Sequence, residues 1–101
     1  MNLNFNQHEK RLINFLKNIE FPVNTEIFLF GSRARRDHSE RSDLDIAFLN
    51  LPKTIRLSGI AEQIDQLNIP YHVDMIDLAS VSEEFYNKCL EEAINIKDVQ
   101  T

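Results

Sequence analysis

Apolar residues first recur at helical spacing, with Leu12, Ile13, Phe15, Leu16 and Ile19 on one side and Lys10, Arg11, Lys17 and Asn18 on the other. That period predicts a helix over about residues 7–19, capped by Asn6. Phe21-Pro22-Val23-Asn24 ends it, because proline biases the residue before it away from helix. The rhythm then changes. Glu26 to Phe30 is a short, continuous apolar run stopping at Gly31, which reads as a strand covered on both faces. Leu44 to Leu49 is a second predicted strand, ended by Asn50 and Pro52. Thr54 is placed to cap a helix over about 54–67, with Ile55, Ile60, Ala61, Ile64 and Leu67 on one side. Gly59 weakens that helix by about 1 kcal/mol relative to alanine. Asn68-Ile69-Pro70 punctuates, and Tyr71 to Asp77 forms a third strand. Ser80 and Glu83 have capping-box spacing for a last helix over about 81–96, with Phe85, Cys89, Ala93 and Ile96 as its buried stripe.

The order α-β-β-α-β-α predicts a single α/β (α+β) domain over residues 1–101: a small mixed sheet flanked by helices. The short connection between the first two strands allows a hairpin. At 101 residues the chain can bury one modest core but not a separate recognition domain. A core this small leaves room for a homodimer or a helical partner as a stabiliser.

Charge narrows the function. The net charge is −5 and the pI about 5.1, which disfavours direct binding of nucleic acid. Yet Arg33, Arg35, Arg36 and Arg41 fall close together, either as a solvated loop or as a local anion site. The single cysteine, Cys89, excludes an intrachain disulfide, and at an apolar helical position it reads as a buried thiol. The N-terminus has no apolar core of a signal peptide, and no apolar run approaches membrane-spanning length. A reducing, cytoplasmic setting is the expectation.

The chemistry concentrates in Gly31 to Asp45. Asp43 and Asp45 stand two apart at the entry to a strand, so both point to one face, roughly 6.5–7 Å apart at the Cα. Two flexible carboxylates at that spacing can converge on one divalent metal or on a pair. Without a cation the arrangement is unfavourable, on the order of 3 kcal/mol for two like charges about 5 Å apart at an effective dielectric of about 20. Asp74 is a third carboxylate, in mid-strand, where β-propensity and burial both disfavour it. It is explained if its strand lies beside that of Asp43 and Asp45 and it faces the same metals. Hard oxygen donors call for Mg²⁺ or Mn²⁺. Gly31 permits a sharp exit from its strand and close approach of a backbone N–H to phosphate, while the Ser32 hydroxyl can donate to a phosphate oxygen. Arg33 and Arg35 are placed to neutralise further anionic charge.

Gly31-Ser32, ten residues, then Asp43-Leu44-Asp45 resembles the signature of the DNA polymerase β-like nucleotidyltransferase superfamily, and Val73 to Leu78 resembles its segment with the third carboxylate. The short length and the Gly-Ser-Arg-Ala-Arg wording are most similar to the minimal nucleotidyltransferase (MNT) group. The resemblance implies the polymerase β-like palm fold, with Gly31 and Ser32 holding a triphosphate, by default ATP. It implies that Asp43 and Asp45 ligate two Mg²⁺ ions and that Asp74 ligates the catalytic one. Minimal members are similar to antitoxin-type proteins paired with a HEPN-domain protein, some of which transfer AMP to that partner; a tyrosine is the acceptor the resemblance suggests. The alternative is a catalytically silent module that neutralises a HEPN partner by contact.

Two points depart from the pattern. Members often have glycine where Arg36 stands, so the loop turns differently or Arg36 adds a phosphate contact. Asp77 competes with Asp74 for the third role, but three residues apart on a strand they face opposite sides, and capping the next loop is the plainer role for Asp77. His38 reads as part of a solvated turn, whereas His72 shares a strand face with Asp74. A sugar-nucleotide glycosyltransferase also uses Asp-x-Asp, but such domains are larger. A purely structural domain would leave the clustered carboxylates without an energetic reason.

Overall fold

The computed structural model describes residues 4–100. Helix α1 (Gln7–Lys17) leads to β1 (Glu26–Phe30), a one-turn helix α2 (Ser32–Arg35), β2 (Leu44–Leu49), α3 (Leu57–Asp65) and β3 (Val73–Asp77). A 3₁₀ turn (Leu78–Ser80), α4 (Glu83–Glu92), β4 (Ile94–Asn95) and a second 3₁₀ turn (Ile96–Asp98) follow. The predicted α/β class and mixed sheet hold. Two elements go beyond the expectation: α2, in the polar loop, and β4, where the last helix was expected to continue.

The sheet order is β3-β2-β1-β4. β1 and β2 form the expected antiparallel hairpin, running from Glu26 opposite Leu49 to Phe30 opposite Asp45. β3 lies parallel to β2 and sets Asp74 opposite Asp45. Alternation then divides the core between two faces. Ile27, Leu29, Leu44, Ile46 and Phe48 pack with Leu12, Ile13 and Leu16 of α1 and Ile60 and Ile64 of α3. On the opposite face, Phe30 and Ala47 pack with Leu78 of the 3₁₀ turn and Cys89 of α4. Ile94, Ile96 and Val99, beyond α4, are buried in the first cluster. The stripe predicted for one long helix is therefore split, with Phe85 exposed and Ile96 serving the other face of the sheet.

Local chemistry sets the helix starts. Asn6 caps α1 as predicted, and Glu9 completes a capping box by accepting the Asn6 backbone N–H at 2.8 Å. α3 begins after Arg56, with no side-chain cap, rather than at Thr54. The hydroxyl of Ser82, not Ser80, caps α4 by accepting from the Phe85 N–H at 3.1 Å. Ser80 instead donates to the carbonyl of Asp77, whose own carboxylate accepts from the Ala79 N–H. Asp77 thus caps the loop after β3.

Candidate active site

Phe30, Asp45 and Asp74 form one row across β1, β2 and β3, on the α4 face and at the end of the sheet where β2 begins. Asp45 is partly buried, while Asp43 and Asp74 are exposed on either side. Burial raises the pKa of the Asp45 carboxyl, and the neighbouring charges of Asp74 and Asp43 push in the same direction. The other two predicted carboxylates are therefore both within electrostatic reach of Asp45. Among the described residues, no three His, Cys, Asp or Glu side chains stand close enough together to form a ready-made metal cage. For these oxygens to share an ion, their side chains would have to rotate toward one another. The donor set remains the hard, anionic one that suits Mg²⁺ or Mn²⁺.

Gly31 lies directly against this row. Its backbone has φ 75° and ψ −159°, a conformation essentially reserved for glycine. A Cβ placed there would come within 2.3 Å of a carboxylate oxygen of Asp45. The glycine thus lets the turn after β1 pass beside the carboxylate, and Ser32 begins α2 immediately afterwards. Gly31→Ala is expected to lower stability by about 1–3 kcal/mol through backbone strain alone. Its displaced Asp45 is expected to lose divalent-metal binding as well, which denaturant unfolding and metal titration check separately.

The arginines divide. Arg33 was expected to neutralise a nucleotide's charge, but the structure turns it inward. It is fully buried, donates from Nη1 to Glu9 at 2.9 Å, from Nε to the Ser42 carbonyl and from Nη2 to the Glu40 carbonyl, and stacks 3.8 Å over the Tyr71 ring. With every branch engaged inside the protein, it pairs with Glu9 and positions the loop instead of facing a bound phosphate. Arg36 resolves the departure from the glycine pattern. It adopts a left-handed conformation, φ 64° and ψ 28°, the region that glycine favours. Its guanidinium goes to Glu9, to the carbonyls of Arg33 and Asn4, and over the Phe5 ring. Arg35 is exposed, bonded to Asp37 at 3.0 Å and to Glu92 at 2.8 Å.

Glu92 is a residue that the sequence does not single out, because beside Glu83, Glu84 and Glu91 it is one more acidic position on the last helix. It accepts the Gly31 N–H at 3.1 Å as well as the Arg35 guanidinium. His38 also differs from its expected solvated turn. It is half-buried, its Nδ1 has no partner, and burial together with the charges of Arg36 and Arg33 lowers its pKa. His72 is exposed beside Asp74.

A mixed sheet presenting a row of carboxylates next to a glycine-serine turn is the architecture of a nucleotidyl-transfer domain. The family model for polymerase beta nucleotidyltransferases matches residues 10–100, and the chain belongs to that family. Among solved structures, a toxin–antitoxin with AMP-PNP is 26% identical at a TM-score of 0.61, over 89% of this chain and 72% of that one. A mutant of the MntA–HpeT toxin–antitoxin is 25% identical at a TM-score of 0.61, over 91% of this chain and 72% of that one. A second MntA–HpeT mutant, 24% identical over 87% of this chain and 70% of the other, supports the fold at a TM-score of 0.60. No curated protein sequence matches. Among the described residues, no helix is long and apolar enough to cross a membrane.

Proposed function

We propose that this domain transfers AMP from ATP to a hydroxyl, the acceptor being a tyrosine of a HEPN-domain partner, and that it acts as an antitoxin in the cytoplasm. The observation that carries the reading is the register of Asp45 opposite Asp74, with Gly31 packed against the Asp45 carboxylate. One small area thus offers phosphate donors and metal ligands together. Asp43 and Asp45 would hold both Mg²⁺ ions and Asp74 one of them. When bound, the metal supplies charge stabilisation for attack at the α-phosphate and departure of pyrophosphate. The Gly31 N–H and the Ser32 hydroxyl hold phosphate oxygens. Asp74 orients the attacking hydroxyl and takes its proton as the new phosphorus–oxygen bond forms and the bond to pyrophosphate breaks. The likeness to a toxin–antitoxin with AMP-PNP supports both the nucleotide and the partner.

The second reading is neutralisation of the partner by contact alone. The two readings separate in one experiment. The domain is mixed with its co-expressed HEPN partner, Mg²⁺ and ATP labelled at the α-phosphate. Label on the partner is expected, and its loss in the Asp43→Ala, Asp45→Ala double variant. A double variant that still inhibits the partner fully would replace the enzymatic account with the contact account.

A further inference from the structure

The donors assigned to a phosphate already hold an anion, and the chain itself provides it. Glu92, the last residue of α4, places one carboxylate oxygen 3.1 Å from the Gly31 nitrogen and the other 2.8 Å from Nη1 of Arg35. Its side chain is 22% exposed, so the contact lies at the surface of the site and not in the core. Other features of its surroundings oppose a carboxylate there. Glu92 sits at the C-terminal end of a helix with no basic residue in its last turn, where the helix dipole disfavours negative charge. It also adds negative potential to Asp45, already crowded by Asp74 and Asp43. The Gly31 N–H and Arg35 are what hold it, and a phosphate oxygen needs the same two donors.

We propose that Glu92 is a displaceable internal stand-in for a nucleotide phosphate and sets the affinity of the site for polyphosphate, because a ligand must release it from Gly31 and Arg35 before binding. This rests on the nucleotide-binding reading above. An ion pair this accessible is worth at most about fivefold in an equilibrium constant. A triphosphate carrying its metal therefore replaces it readily, whereas a singly charged anion competes poorly. Arg35 keeps its bond to Asp37 throughout and swings only one branch of its guanidinium from carboxylate to phosphate.

The test is calorimetric titration of the whole chain with Mg²⁺–tripolyphosphate and with Mg²⁺–ATP, comparing the wild type with Glu92→Gln, Glu92→Ala and the exposed control Glu91→Gln. Both Glu92 variants are expected to bind more tightly, by up to about fivefold. The Gly31 amide resonance should already be shifted in their free forms, and Glu91→Gln should leave affinity unchanged. Amide spectra establish that each variant is folded. Unchanged affinity in the Glu92 variants, or an equal gain in Glu91→Gln, would overturn the proposal. Weaker binding would also overturn it and make Glu92 a contributor to holding the metal. Absence of binding to wild type and variants alike would remove the nucleotide-site reading itself, and this inference with it.

Discussion

Glu9→Ala is expected to lower the free energy of unfolding by about 3–5 kcal/mol, the usual result of removing one member of a buried ion pair. Glu9 is fully buried and receives hydrogen bonds from both Arg33 and Arg36 at 2.9 Å. Without it, the guanidinium of Arg33 stays inside the protein with no counter-charge. Glu9→Gln keeps the volume and one acceptor and should lose less. Acid adds a signature. Burial alone would raise the pKa of Glu9, but hydrogen bonds from Arg36, the Asn6 backbone and Arg33 outweigh it and hold the pKa below its ordinary value. A group whose pKa is lower in the folded state stabilises fully above its unfolded pKa and loses that contribution as pH falls through the folded one. The gap between wild type and Glu9→Gln should thus be constant near neutrality and close in acid. Urea unfolding at a series of pH values measures it. A gap that persists until acid unfolds both proteins would show that shape and not charge is what Glu9 contributes.

Asp45→Asn should move stability and activity in opposite directions. Burial and the charges of Asp74 and Asp43 raise the Asp45 pKa in the folded state. Such a group favours folding fully below its unfolded pKa, and the benefit is lost as pH rises through the folded value. At neutral pH the ionised carboxylate therefore works against the metal-free fold. The asparagine variant should melt higher than wild type in the presence of a chelator at neutral pH, and at the same temperature in acid. Nucleotidyl transfer should fall by about three orders of magnitude in kcat/KM, the several kcal/mol that metal-borne charge stabilisation supplies. A variant that melts lower at neutral pH would mean that Asp45 is held by bonds and not crowded by like charges.

Short-range patterns made much of this molecule legible. The Asn6 cap, the three main strands, the hairpin and the buried Cys89 all follow from residues close together in sequence. The juxtaposition of Asp45 and Asp74 followed from asking why an aspartate should stand in mid-strand. What stayed hidden depends on partners far away along the chain. Arg33 reads as an anion binder until Glu9, 24 residues earlier, and the Tyr71 ring are seen to enclose it. Glu92 reads as a solvated helix residue until Gly31, 61 residues before it, is found at its tip. β4 was missed because two residues are too few to interrupt a helical pattern, and only the exposed flank of β1 gives them a role.

The hairpin also bears on how the site comes into being as the chain folds. The glycine-serine turn and the Asp-x-Asp pair lie on the two sides of one antiparallel pairing that closes within a short stretch of sequence. Contacts of low sequence separation lose little chain entropy on closure and form early. Asp74 joins only when β3 docks in parallel, after the whole crossover through α3. The order of folding thus separates two thresholds. A chain caught with only its hairpin formed holds two of the three carboxylates beside the turn, and the third completes the site at the slower pace of long-range topology.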